Sequence, residues 1–202
     1  NLGPRVNTAG TEDAPSLSAD GLTLAFTAVR GAGTDTDVWL ARRPTPDAGW
    51  AEPVPAGPEV NTRAGEFRPW LAADGLTLTF ARGDTIWAAT RPTADAPFGA
   101  ARPLGSDRLI FGGPAVSADG RTLLLARHDR PAGKTRLWLA RVGDPARPLD
   151  GLAPVGPPVT GPHADADPAP SADGRAVVFS SDRPGGLGGV DLWLTRRAPR
   201  RR

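Results

Sequence analysis

The chain has 202 residues, 39% apolar and 23% charged, enough for one well-buried domain and too short for a second of ordinary size. Its 25 Gly and 23 Pro show no Gly-X-Y period and punctuate apolar runs, so they mark turns of an all-β chain and not disorder. No run approaches the ~18 apolar residues of a membrane span, and with no Cys there are no disulfides and no thiolate chemistry.

In chain order, the segment NLGPRVNTAG at the start matches GPEVNTRAG from Gly57. A phrase then recurs four times: PSLSADGLTLAF from Pro15, PWLAADGLTLTF from Pro69, PAVSADGRTLLL from Pro114 and PAPSADGRAVVF from Pro168. Each is followed by an apolar run centred on Trp: DVWLAR, TIWAAT, RLWLAR and DLWLTR. Within the first repeat, Pro15–Ser18 reads as a short opening strand, where Pro needs no ladder donor. Ala19-Asp20-Gly21 reads as a tight hairpin with Gly supplying positive φ. Leu22, Leu24 and Phe26 alternate with Thr23, Ala25 and Thr27, which predicts a half-buried second strand. Val38–Leu40 predicts a third, and Trp50–Val54, next to Pro53 and Pro55, a weaker outer edge strand. Four antiparallel strands repeated every 45 to 54 residues make β-propeller blades. The repeats fall near 13–54, 67–104, 112–155 and 166–197. The last stops after its third strand, so residues 1–7 are expected to complete it and close the ring, leaving a propeller domain over 1–197.

Five Arg lie among the last seven residues, and without them 19 basic residues face 22 acidic ones. The basic character thus belongs to a tail at 198–202 and the preceding Arg pair, so no nucleic-acid partner is expected for the fold; the tail reads as a solvated linker to another domain, with contact to acidic lipid or nucleic acid as the alternative. No Met is present, which marks a processed product or a segment of something longer, and no secretory signal is recognised at Asn1. Lys134 is the only lysine, a coding bias without bearing on a partner.

The phrase SADGLTLAF, and above all FSSDRPGGLGGVDLW over Phe179–Trp193, resembles the WD-like repeat of TolB-type propellers, seen also in bacterial multidomain proteins that carry kinase or outer-membrane-protein-A-like domains. The resemblance covers all four repeats. It implies an all-β fold of four four-stranded antiparallel blades, or a four-blade piece of a larger propeller, since TolB-type rings commonly have six. It also implies a bacterial, periplasmic or extracytoplasmic setting. Ala72 replaces the Ser of the phrase in the second repeat, and the third lacks the Gly-rich loop of the fourth.

In such a propeller the loops leading into first strands share a face with those between second and third strands. That face would gather Glu12, Asp13, Glu66, Arg68, Asp165 and Asp167 with Arg30, Arg82, His128, Asp129, Arg130, Asp182 and Arg183. A ligand-binding reading takes Asp13, Arg30, Glu66, Arg68, Trp70, Arg82, Arg130, Asp167 and Arg183 as a site for a peptide, carboxylate or glycan. The competing reading makes the same charges salt bridges that tie blades and hold loops. His163, Asp165 and Asp167 alternate and are the nearest approach to a metal set, but the other repeats lack them, so neither metal nor cofactor is expected. Only two His exist, neither in a Ser/His/Asp context, and no GxSxG occurs. The Gly185–Gly189 run lies between strands with no Lys and no helix behind it, so a hairpin loop is expected, not a phosphate cradle. Trp39, Trp87, Trp138 and Trp193 read as packing between blades, and Trp50, Trp70 and Phe98 fall outside that register. The expected function is a non-catalytic scaffold or binding module for protein or peptide partners. A carbohydrate-binding or sensing module is the alternative, and a lyase or hydrolase the outsider.

Overall fold

A computed structural model describes residues 1–30, 35–106, 114–117, 121–129, 133–141, 150–159, 161–171, 173 and 175–196. The described residues form fifteen strands and no helix. The chain divides into two compact units, Asn1–Arg108 and Leu109–Arg202.

Unit 1 holds two four-stranded antiparallel meanders. The first is β1 (Glu12–Leu17), β2 (Thr23–Ala28), β3 (Asp37–Arg42) and β4 (Val54–Pro55); the second is β5 (Glu66–Leu71), β6 (Thr77–Arg82), β7 (Thr85–Thr90) and β8 (Arg102–Ser106). Unit 2 holds β9 (Ala115–Val116), β10 (Thr122–Asp129), β11 (Lys134–Arg141) and β12 (Asp150–Pro154) in one sheet, and β13 (Asp165–Pro170), β14 (Ala176–Ser181) and β15 (Asp191–Arg196) in a three-stranded one. Each sheet keeps chain order, the pattern of a propeller blade. The fold is an all-β propeller.

The hairpin chemistry follows the sequence. Gly21 has φ +71°, and Asp20 accepts from the Ser18 hydroxyl at 2.6 Å and the Leu22 N–H at 2.9 Å, a side-chain mimic of a backbone turn. Ser171 and Asp173 repeat the arrangement in the fourth blade. With Ala72 in place of Ser, the second blade keeps only the Asp74 half, accepting from Leu76 N–H at 2.8 Å.

Two strand expectations are modified. All six residues of β2 are buried, because β5 packs on one face while Val6, Ala41 and Trp50 gather with Phe26 on the other. The outer strand of the first blade is Val54–Pro55 alone. Trp50 precedes it as a core side chain only 7% exposed, under the Arg43 guanidinium. The segment 1–7, read as strand, forms a turn at residues 4–6 whose Val6 is buried against the first blade. The tail 198–202 lies outside the described residues.

Within unit 1 the two blades share a core: Ala25, Val38 and Leu40 pack with Leu71, Leu78, Phe80 and Phe98. Backbone ties reinforce it. Glu66 N–H donates to Thr36 C=O at 2.7 Å, and Leu71 N–H to the Ser16 hydroxyl at 2.9 Å. In unit 2, Phe179 and Leu137 centre a core flanked by Val155, Val159, Val177 and Trp193.

Candidate functional site

The charges singled out in the sequence divide into a buried set and an exposed set. Glu66 begins β5 with no exposed surface. Its carboxylate accepts from Arg82 Nε at 2.7 Å, Thr62 Oγ1 at 2.7 Å and Thr62 N–H at 2.8 Å. Arg82 donates in turn to the Val60 carbonyl at 2.7 Å and lies 4.3 Å above the Trp87 ring. Carboxylate and guanidinium thereby satisfy one another while pinning the loop that leads into the strand.

The same clamp recurs. Glu12 accepts from Thr8 Oγ1 and N–H, lies 3.5 Å from Arg30, and Arg30 donates to the Val6 carbonyl. Asp165, also fully buried, pairs with Arg183 at 2.8 Å, and Arg183 donates to the Val159 carbonyl at 2.5 Å. Each Arg lies over a cross-strand aromatic pair: Phe26–Trp39, Phe80–Trp87 or Phe179–Trp193. In the third blade Arg127 lies 4.4 Å over Trp138. The recurrent Trp residues are thus capped by cations within their own blades.

The sequence carried a signal for this clamp. Gly-Pro-x-Val precedes the acid at Gly3, Gly57 and Gly156, with the acid always six residues after the Val. The Arg was harder to align. Arg82 lies two residues beyond its aromatic, Arg30 and Arg183 four beyond, because the second blade's tight β6–β7 turn at Gly83 leaves no loop from which to reach back.

The exposed set lies at a bulge in three of the first strands, β1, β5 and β13. Register slips by one residue between Asp13 and Ser16, Phe67 and Trp70, and Ala166 and Ala169. There Ala14, Arg68 and Asp167, each just before a Pro, take φ of 48°, 51° and 48°. Such left-handed residues cost free energy unless the surroundings hold them, and a bulge re-aims the side chains beside it. Asp13, Phe67, Arg68 and Asp167 are exposed, and Trp70 is half-buried. Thr27 pairs with Asp13 in the ladder and accepts from the Arg68 N–H at 3.2 Å, which brings Asp13 and Arg68 to one rim of unit 1.

His163, Asp165 and Asp167 do not converge. Asp165 is committed to Arg183, Asp167 accepts from the Ser180 hydroxyl at 3.2 Å, and His163 lies 4.0 Å from Asp182. Among the described residues no three His, Asp or Glu side chains gather as a metal set. Arg130 lies outside the described residues, as does the side chain of Asp129. The Gly185–Gly189 loop wraps Asp191, which accepts from Gly188 N–H at 3.0 Å, and a Cβ at Gly186 would come within 2.0 Å of the same carboxylate. Among the described residues no helix is long and apolar enough to cross a membrane.

No protein-family model matches the sequence, and no curated protein sequence does. Solved structures match in fold. TolB from Acinetobacter baumannii superposes with a TM-score of 0.67 at 13% identity, over 95% of this chain and 42% of that one. The chain has the fold of a TolB-type propeller. An oligogalacturonate lyase from Vibrio parahaemolyticus gives a TM-score of 0.58 at 12% identity, over 96% of this chain and 52% of its own. A Mycobacterium tuberculosis puromycin-hydrolyzing peptidase gives 0.56 at 18%, over 94% and 27%. The chain therefore spans about half, or less, of each of these three structures. One propeller fold serves a TolB protein, a lyase and a peptidase, so function must be argued from the side chains of this chain.

Proposed function

We propose that this chain is a non-catalytic propeller module that binds a protein or peptide partner through the bulge residues of its first strands. The observation that carries the reading is the division of labour in those strands. The acid opening β1, β5 and β13 is committed to a clamp within its blade. The bulge that follows presents a different pair each time: Asp13-Ala14, Phe67-Arg68 and Ala166-Asp167. A repeated frame with a varied display suits selective recognition. Phe67, 42% exposed, with Arg68 and Asp13 at the same rim, offers the aromatic and charged contact types that dominate protein interfaces.

A second reading keeps a carbohydrate partner, favoured by the half-buried Trp70 on β5, since an aromatic face can carry a sugar ring. Screening displayed random peptides and a glycan array against the purified chain separates the two. Peptides are expected to enrich and to lose affinity in Phe67→Ala. A sugar that raises the melting temperature, with the effect lost in Trp70→Ala, would move the assignment to the carbohydrate reading.

A further inference from the structure

Unit 1 contains a cavity of about 370 Å³ between β3–β4 of the first blade and residues 94–98 of the second. Leu40, Val54 and Phe98 supply apolar wall, and the charged residues are Arg42, Arg91 and Asp95. Two cations and one anion thus line a largely apolar space.

Arg91 follows β7 and is only 6% exposed. Its Nε donates to the Gly75 carbonyl at 2.9 Å, and its guanidinium lies 4.6 Å over Phe98. Its Nη2 has essentially no accessible surface and meets no acceptor, so it does not itself open on the cavity. Burial first, and then the Arg42 charge, press its pKa below the ordinary arginine value, with Asp95 opposing. Arg43 occupies the matching place in the first blade, donating to Gly21 and stacking on Trp50, so the Arg-on-aromatic lid is part of the frame. The cavity lies at the second blade's version of it. Arg42 reaches across to the Asp95 carboxylate and the Ala94 carbonyl. That bridge is exposed, Asp95 at 91% and Arg42 at 37%, and a strap of this kind contributes little to stability and is readily exchanged.

We propose that this cavity binds a carboxylate carried on a small apolar body, with Arg91 as its buried cation and Arg42, released from Asp95, as its second. A guanidinium held largely out of water gains from an anion placed beside it. The planar fork of Arg matches a carboxylate's two oxygens. The apolar wall selects against a bare inorganic anion, and the volume lies within the range of small-ligand sites. The site is separate from the bulge rim and does not depend on the reading given to it.

Titration calorimetry with 4-methylpentanoate and with acetyl-Ala-Leu, as free acid and as amide, tests this. Either free acid is expected to bind while the amide does not, and which acid wins distinguishes a small metabolite from a peptide C-terminus. Arg42→Gln and Arg91→Gln should each weaken binding about tenfold, the loss of one charge-assisted contact, and Asp95→Asn should tighten it by freeing Arg42. Because Arg91→Gln also disturbs the stack on Phe98, Ala94→Trp serves as an independent variant. From its exposed position on the cavity lining it should abolish binding without moving the urea midpoint. Failure of both acids to bind at millimolar concentration, equal binding of the amide, or undiminished binding in Ala94→Trp overturns the proposal.

Discussion

Removing the Glu66 carboxylate, as in Glu66→Ala, strips the second blade of the acceptor for two Thr62 donors and for Arg82 Nε. The side chain has no exposed surface and that of Arg82 is 15% exposed, so solvent cannot readily replace what is lost. Breaking a buried pair by deleting one partner costs about 3–5 kcal/mol, chiefly because the other charge stays buried and unpaired. With a urea m-value of about 2 kcal/mol/M the midpoint should fall by roughly 2 M. Glu12→Ala should cost less, roughly 1–2 kcal/mol, because Arg30 is 3.5 Å away and both side chains keep about a tenth of their surface in water. Replacing both partners, in Glu66→Leu/Arg82→Met, should recover part of the loss. A midpoint shift for Glu66→Ala below about 0.5 M would refute the view that this pair anchors the loop to the blade.

Other perturbations have definite signs. Burial, then Glu66 and Asp35, raises the Asp37 carboxyl above its usual 3.8; the folded chain then holds a proton the unfolded chain has released, so stability falls as pH rises through that window. Asp37→Asn should therefore be more stable than the parent at pH 7, with the difference shrinking below 3.8 in urea titrations. Asp20 and Asp173 have the opposite sign: bonds from Ser18 and Ser171, then from the Leu22 and Arg175 N–H groups, hold both below 3.8. Their contribution is complete above that value and is lost as pH falls through the folded pKa, so Asp20→Ala should destabilise at pH 7 and cease to matter in strong acid. Gly186→Ala should displace Asp191 and break its bond from Gly188, costing about 1 kcal/mol and speeding proteolysis between Gly185 and Gly189.

The blade pattern was legible because it rests on local chemistry. Gly21, Asp20 and the alternating β2 residues each state their role within a few positions. The two buried faces of β2 were not, since burial on the second face comes from β5, more than forty residues away in sequence. The Trp50 assignment failed for a related reason: a Trp beside Pro53 and Pro55 looks like edge strand, yet Arg43 and the first-blade core hold it inside. For the charges, composition gave the right residue types and could not separate them. Glu66 and Arg68 stand two positions apart, and only the bulge at Arg68, with its φ of 51°, turns one into the core and the other out to solvent. Nothing in the sequence pointed to the cavity at Arg91, because Arg91 and Asp95 meet Arg42 only once two blades pack together.

The affinity of a display-selected peptide for the paired variant Phe67→Ala/Arg68→Glu, against the parent chain, tests the binding assignment most directly. The account predicts a loss of at least about tenfold with a urea midpoint lowered by no more than about 0.5 M, because Arg68 is exposed, Phe67 keeps 42% of its surface in water and neither belongs to the clamp. Undiminished affinity in that variant would contradict it.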